Sequence, residues 1–446
     1  MARNTIYQGG TIVALDAAST VRRADLLVED GVLRALGGPF DGPAYREAER
    51  VDCTNALVLP GFVQAHVHLS QALFRGLAEE ADLLPWLERK IWPLEAAHTA
   101  ESLAVSARLG LAEMVRSGAT TICDMGAMRH AEVLARTVEA SGLRAVVSRL
   151  LMDQGDRVPA ELVEPGARGL EDAQAIAKHF DGTASGRLRF ALAPRFVLSC
   201  SPDLLREVAA RSQEHGWLVH THLNESKGEL RATEKLLGHG AVAHFDEMGL
   251  LSERFVAAHG VWFTVEEREL LAERKARITH CPSANLKLGS GVCDTRALLD
   301  EGVTVALGAD GLPCNNRADT FEEMRLAGLL SRLLHKGKAL TSESVVRMAT
   351  IEGARALGFG DRTGSIEVGK RADLVVLDAT GTSGSVLEGT SVYDAVVYQM
   401  NAEHVRSVSV DGKRLYERGR LLFADESEIV ARAQSERAAL LRRAAL

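Results

Sequence analysis

The 446-residue chain is 46% hydrophobic and 25% charged, with a formal net charge of −8, the make-up of an ordinary soluble globular protein. Both signs of charge are interspersed without a basic block, which argues against nucleic acid or an anionic membrane as the main partner. No apolar run reaches spanning length, no long apolar segment follows Met-Ala-Arg-Asn at the start, and the six cysteines form no CxxC; a cytoplasmic protein with reduced thiols is expected.

Residues 4–58 predict short strands. Residues 5–15 read as a pair around Gly9-Gly10, residues 24–36 as a pair around Asp30-Gly31, and a third strand leads to Leu59. From residue 60, apolar strand-like runs alternate with helical periodicity. The first ends at His68; the others are 120–125, 144–151, 188–194, 218–222, 255–259, 277–280 and 303–310. Amphipathic helices such as 101–117 and 202–215 lie between them. Eight β/α alternations over about 250 residues predict a (β/α)8 TIM barrel of the α/β class. A doubly wound sheet is the alternative, but no Gly-rich phosphate loop follows the first strand. Strand patterns return at 364–378 and 405–415. The barrel, 59–359, is therefore expected to be inserted in a small discontinuous β-sandwich domain, 1–58 plus 360–446, whose last segment from 427 predicts an edge helix.

The stretch Pro60-Gly-Phe-Val-Gln-Ala-His66-Val-His68 delivers two histidines one residue apart. On a strand, residues i and i+2 share a side, so the two imidazoles converge as a divalent cation requires. Two ordinary histidines on a strand face are the alternative. In a barrel, polar residues at the C-terminal ends of strands read as catalytic. Here those ends carry His66, His68, Arg195, His222, His259, His280 and Asp310. Each histidine alone also reads as a satisfied core or surface residue; metal-type ligands at five strand ends read as a site.

His222-Leu-Asn-Glu225 adds a carboxylate that can move the proton of a metal-activated water to a leaving group, or sit solvated at the surface. His220 is expected behind the site. Asp310 follows the apolar run 303–308; a carboxylate at the end of a buried strand must be paired or metal-bound. Pro85 suits the first turn of a helix and fixes where Trp86 points. Trp86 and Trp92 read as ring-stacking residues at the mouth or as helix core. Cys281 and Cys314 read as structural.

Together these residues resemble the amidohydrolase superfamily over nearly the whole chain. The matching motifs are Leu59-Pro-Gly-Phe with His66-Val-His68, Leu73-Phe-Arg-Gly-Leu-Ala, residues 86–95, Ser117-Gly-Ala-Thr-Thr, His222-Leu-Asn-Glu225, residues 280–291, Leu307-Gly-Ala-Asp310-Gly, residues 321–327 and residues 364–375. The branch they resemble is the metal-dependent aminohydrolases: 5′-deoxyadenosine, methylthioadenosine/S-adenosylhomocysteine and guanine deaminases, and the triazine hydrolases.

The resemblance implies one divalent metal, Zn2+ or Fe2+, held by His66, His68, His222 and Asp310. No lysine stands where binuclear relatives carry a bridging carboxylated one. Glu225 would be the general acid/base, with Asp310 in the catalytic centre, and His259 would meet the attacking water or the substrate ring. Hydroxide would attack a ring carbon bearing an amino group, and ammonia would leave. The partner implied is a small heterocyclic amine, and a homo-oligomer, dimer or tetramer, is expected.

The substrate signals divide. Residues 86–95 and 321–327, and Arg149 near the sugar, resemble the adenosine-type deaminases. Gln71 and the segment Pro194-Arg195-Phe196 resemble guanine deaminase; an Arg fork and a Gln amide suit a purine's carbonyl and ring nitrogens. A surface ion pair and a structural amide are the plain alternatives for these two. Triazine amino- or chlorohydrolysis and a non-catalytic relative are the rival functions.

Overall fold

A computed structural model describes residues 4–79, 82–155, 157–380 and 389–445. The chain opens with β1 (Asn4–Val13), β2 (Val21–Glu29), β3 (Val32–Gly37), β4 (Glu49–Asp52) and β5 (Ala56–Pro60). Gly9-Gly10 is not a turn. β1 runs through it as one strand, paired antiparallel with β2, and the register shifts between Tyr7 and Gly10. The glycines serve a bulge: Gly9 has φ +71°, and a Cβ on Gly10 would lie 2.9 Å from Cys53 Cβ. Asp30-Gly31, with φ of 49° and 75°, does turn β2 into β3, since a two-residue hairpin of this twist needs positive φ at both positions.

The eight predicted central runs form β6 (Phe62–His68), β7 (Ala119–Asp124), β8 (Arg144–Leu151), β9 (Leu188–Pro194), β10 (Leu218–Leu223), β11 (Phe255–His259), β12 (Arg277–His280) and β13 (Thr304–Leu307), with β14 (Asp310–Gly311) continuing the last. The order β13 to β6 follows the chain, and β14 returns to pair with β6. Asp310 stands opposite Val67 and Gly311 opposite His68, in parallel. The ring thus closes through an eighth strand broken at Gly308-Ala309. A Cβ on Gly308 would lie 2.8 Å from the His66 carbonyl oxygen, so only glycine lets that strand press against the first. Among the described residues the architecture is the TIM barrel with a separate β-sheet.

That separate sheet joins both ends of the chain. β15 (Leu374–Asp378), β16 (Val405–Val410), β17 (Lys413–Glu417) and β18 (Arg420–Leu421) extend it in the order β18-β17-β16-β15-β5-β1-β2-β3, with β4 beside β1. Arg144, at the start of β8 and fully buried, ties barrel to sheet. It donates to Asp373 at 2.7 and 3.1 Å and to Asp411 at 2.7 Å. Helix Glu426–Arg443 lies against helix Ala100–Arg116, joined by Arg116–Glu426 and Arg432–Glu101 ion pairs. No helix of the described residues is long and apolar enough to cross a membrane.

Candidate active site

The strand periodicity of β6 places His66 and His68 at the mouth of the barrel, both buried. Behind His66, its Nδ1 lies 2.9 Å from His220 Nε2, and His220 Nδ1 lies 3.1 Å from Cys123 Sγ. His222 Nδ1 donates to the Arg195 carbonyl at 2.7 Å. Hydrogen bonds of this kind fix the tautomer and free the other ring nitrogen as a ligand. The freed nitrogens converge. His66 Nε2 is 3.2 Å from Asp310 Oδ1; His68 Nε2 is 3.1 Å from His222 Nε2 and 3.3 Å from the same Asp310 oxygen. Metal–ligand bonds of about 2.0–2.2 Å set neighbouring ligand atoms about 2.8 Å apart at right angles and up to about 3.6 Å apart at tetrahedral angles. Three imidazoles and a carboxylate at this spacing fit a divalent cation.

His259 joins from β11. One ligand atom from each of His66, His222, His259 and Asp310 lies within 4.8 Å of the others. His259 Nδ1 meets Asn285 Oδ1 at 2.9 Å, which leaves Nε2 facing Glu225 Oε2 at 3.4 Å and Asp310 Oδ2 at 3.9 Å. Asn224, His259 and Asp310 have φ of 50°, 77° and 61°. Left-handed backbone in non-glycine residues carries strain that the surrounding packing must hold, and such residues cluster at functional sites.

The two carboxylates are driven apart. Burial alone would raise the Asp310 carboxyl, but the His66 hydrogen bond and the facing His66, His259 and His68 rings outweigh it and hold the group well below the usual carboxylate range. Burial, then the charges of Asp310 and Glu229, push Glu225 well above it. Burial and the neighbouring His66 ring hold His68 and His222 well below the ordinary imidazole value, so both are neutral and able to donate lone pairs. A pair of acids with opposed shifts suits one charged ligand and one proton carrier.

A narrow cavity opens beside this cluster, lined by Gln71, Trp86, Arg195, Phe196, Glu225 and Glu229 together with His68, His222, His259 and Asp310. Its far wall is organised by Glu95. Arg195 Nη1 donates to Glu95 Oε2 at 2.7 Å, and Gln71 Nε2 donates to Glu95 Oε1 at 2.8 Å. Gln71 Oε1 and Glu229 Oε1 are buried without a partner among the described residues. Trp86 Nε1 donates to the Ala78 carbonyl at 2.9 Å, which fixes the ring at the wall. Pro93 has no N–H to continue the regular helical ladder, and the backbone just before it is a π turn, Leu87–Ile91. Trp92 belongs to the core instead and does not line the cavity.

Arg149 is drawn elsewhere. It pairs with Glu164 and the Leu150 carbonyl, lies 3.7 Å from Asp172, and is absent from the cavity wall; the acidic partners on the neighbouring segment claim it. Glu95, Glu229, Asn285 and Ser290, whose Oγ lies 3.5 Å from Glu225 Oε1, are site residues that the sequence reading does not single out. Glu229 carries a signal, the capping box Ser226-x-x-Glu229 at the start of helix Lys227–Leu237, but that signal speaks of a helix cap, not of a cavity. Cys314, read as structural, donates to Asp310 Oδ2 at 3.1 Å.

The amidohydrolase family model matches residues 57–415. The chain is 36% identical over 427 residues to 5′-deoxyadenosine deaminase of Methanothermobacter thermautotrophicus, covering 96% of each. It is 35% identical over 426 residues to 5-methylthioadenosine/S-adenosylhomocysteine deaminase of Pyrococcus furiosus, covering 95% of this chain and 98% of that one. An adenosine deaminase from Xanthomonas campestris, solved with bound zinc, superposes with a TM-score of 0.91 at 30% identity over 99% of each chain.

Proposed function

The chain belongs to the amidohydrolase family, and on that premise we propose that it is a metal-dependent hydrolytic deaminase of a purine or purine nucleoside. The convergence of His66, His68, His222 and Asp310, with the Glu225 carboxyl 3.4 Å from His259 at its edge, is the observation that carries this reading. A single divalent metal held by those four residues, zinc by analogy with the X. campestris structure, would supply an activated water. The rest falls to the chain. Glu225 takes a proton from the water side and delivers it to the departing nitrogen, which leaves as ammonia. His259 orients the reacting centre through Nε2, held by Asn285. Trp86 and Phe196 exclude water and pack the ring.

The relatives that are 35–36% identical act, by name, on 5′-deoxyadenosine and on methylthioadenosine or S-adenosylhomocysteine, which supports a 5′-substituted adenosine as substrate. One observation favours a second reading. Arg195 and Gln71 share Glu95, and Gln71 Oε1 lacks a partner. A guanidinium donor beside a free amide acceptor complements the N–H and C=O edge of an oxo-purine such as guanine. Ammonia release by the zinc-loaded protein separates the two. Turnover of 5′-deoxyadenosine and methylthioadenosine with guanine inert supports the first; turnover of guanine with the nucleosides inert supports the second. Halide release from a chloro-triazine, with no ammonia from any purine, would overturn both.

A further inference from the structure

A second cluster of metal-type ligands stands outside the cavity. Helix Lys227–Leu237 ends at Gly238, in the left-handed region with φ +78°, and the chain turns through Gly238-His239-Gly240 into helix Ala241–Glu247. His244 and Glu247, three residues apart, share a face of that second helix, and His239 from the turn closes over them. His239 Nε2 lies 3.4 Å from His244 Nδ1 and 3.6 Å from Glu247 Oε2. One ligand atom from each residue lies within 4.8 Å of the others.

These spacings are informative. They are longer than a good hydrogen bond from a ring N–H, about 2.9–3.0 Å. Zinc–nitrogen and zinc–oxygen bonds of about 2.0–2.2 Å at tetrahedral angles put neighbouring ligand atoms about 3.3–3.6 Å apart. His244 is 4% exposed. Its Nε2 has no partner among the described residues, so no hydrogen bond in the chain fixes the ring in the tautomer that would spend Nδ1 as a donor. Glu247 is exposed and His239 half-buried, which leaves a fourth position open to water.

We propose that His239, His244 and Glu247 form a second, exchangeable zinc site that staples the end of helix Lys227–Leu237 to helix Ala241–Glu247. Two imidazoles and one carboxylate with an open position form a ligand set typical of zinc. The staple fixes the C-terminal end of the helix, whereas Glu229 in its first turn is held separately by the Glu225 backbone N–H.

The test titrates zinc into protein already loaded with one equivalent and measures bound metal per chain after equilibrium dialysis. The wild type is expected to hold two equivalents. His239→Ala and Glu247→Gln, both at accessible positions, are expected to hold one with unchanged turnover, and His68→Ala to keep only the second. Excess zinc should raise the melting temperature of the wild type and not of His239→Ala. A wild type that holds a single equivalent, or variants at His239 and Glu247 that still hold two, overturns the proposal. The His68→Ala count keeps that failure distinct from a failure of the catalytic reading.

Discussion

Glu229 Oε2 accepts the backbone N–H of Glu225 at 2.7 Å, so one buried carboxylate holds the loop that carries another. Removing the acceptor strands a buried N–H, at about 1–3 kcal/mol. Glu229→Ala is therefore expected to lower kcat roughly 10- to 100-fold, with Glu229→Gln, which keeps an accepting oxygen, recovering much of it. Steady-state kinetics on the zinc-loaded protein decide; equal losses in both variants would assign Glu229 a role in its charge instead.

Glu225→Gln removes the proton carrier while keeping shape and packing. Turnover should fall by about 10²–10⁴ with zinc content unchanged. Metal analysis beside the activity assay checks it, and loss of zinc together with activity would move Glu225 into the ligand set.

Chelation should abolish turnover, and zinc should restore it. It should also lower the melting temperature, since a ligand that binds only the folded chain stabilises it by mass action. The double variant His68→Ala with His239→Ala, which lacks a ligand of each cluster, should melt at the same temperature with or without chelator.

His98 gives the chain a pH dependence away from the metal. Its Nε2 donates to the Ser70 carbonyl at 2.8 Å and its Nδ1 lies 2.9 Å from Ser102 Oγ. Burial pushes it down to about 4 from 6.5, so between those values the unfolded chain binds more protons than the folded one. Stability from this group is complete above about 6.5 and is lost as pH falls toward 4, by about 3 kcal/mol at most. In His98→Gln the slope of melting temperature against pH between 4 and 6.5 should flatten; an unchanged slope would show that another group sets it.

Arg144→Met leaves Asp373 and Asp411 without the buried guanidinium that both contact. A loss of about 3–5 kcal/mol is expected, read by denaturant unfolding, with KM of the surviving folded protein unchanged. A raised KM would tie the sheet to the cavity.

The convergence of His66, His68, His222, His259 and Asp310 was legible because period-two strands and an alternating β/α pattern put them at strand ends without reference to distant contacts. The cavity's far wall was not. Glu95 reaches Gln71 and Arg195 only because helix Trp92–Ala96 folds back over the barrel mouth, a relationship spanning 100 residues in sequence. Arg149 misled because an arginine beside the expected site says nothing of Glu164, which captures it. Gly9-Gly10 misled because a bulge and a turn need the same freedom of φ.

The barrel's seam runs between β6 and the broken eighth strand, and Asp310 lies just past the break, beside Val67. The carboxylate that completes the proposed ligand set therefore leaves the ribosome more than 200 residues after His66 and His68. A nascent chain can present its imidazoles early, but the cluster exists only once the last strand has met the first. On the proposed ligand set, a metal finds all four ligands only after the barrel has closed, and a chain truncated before residue 310 would keep three of them and lose the fourth.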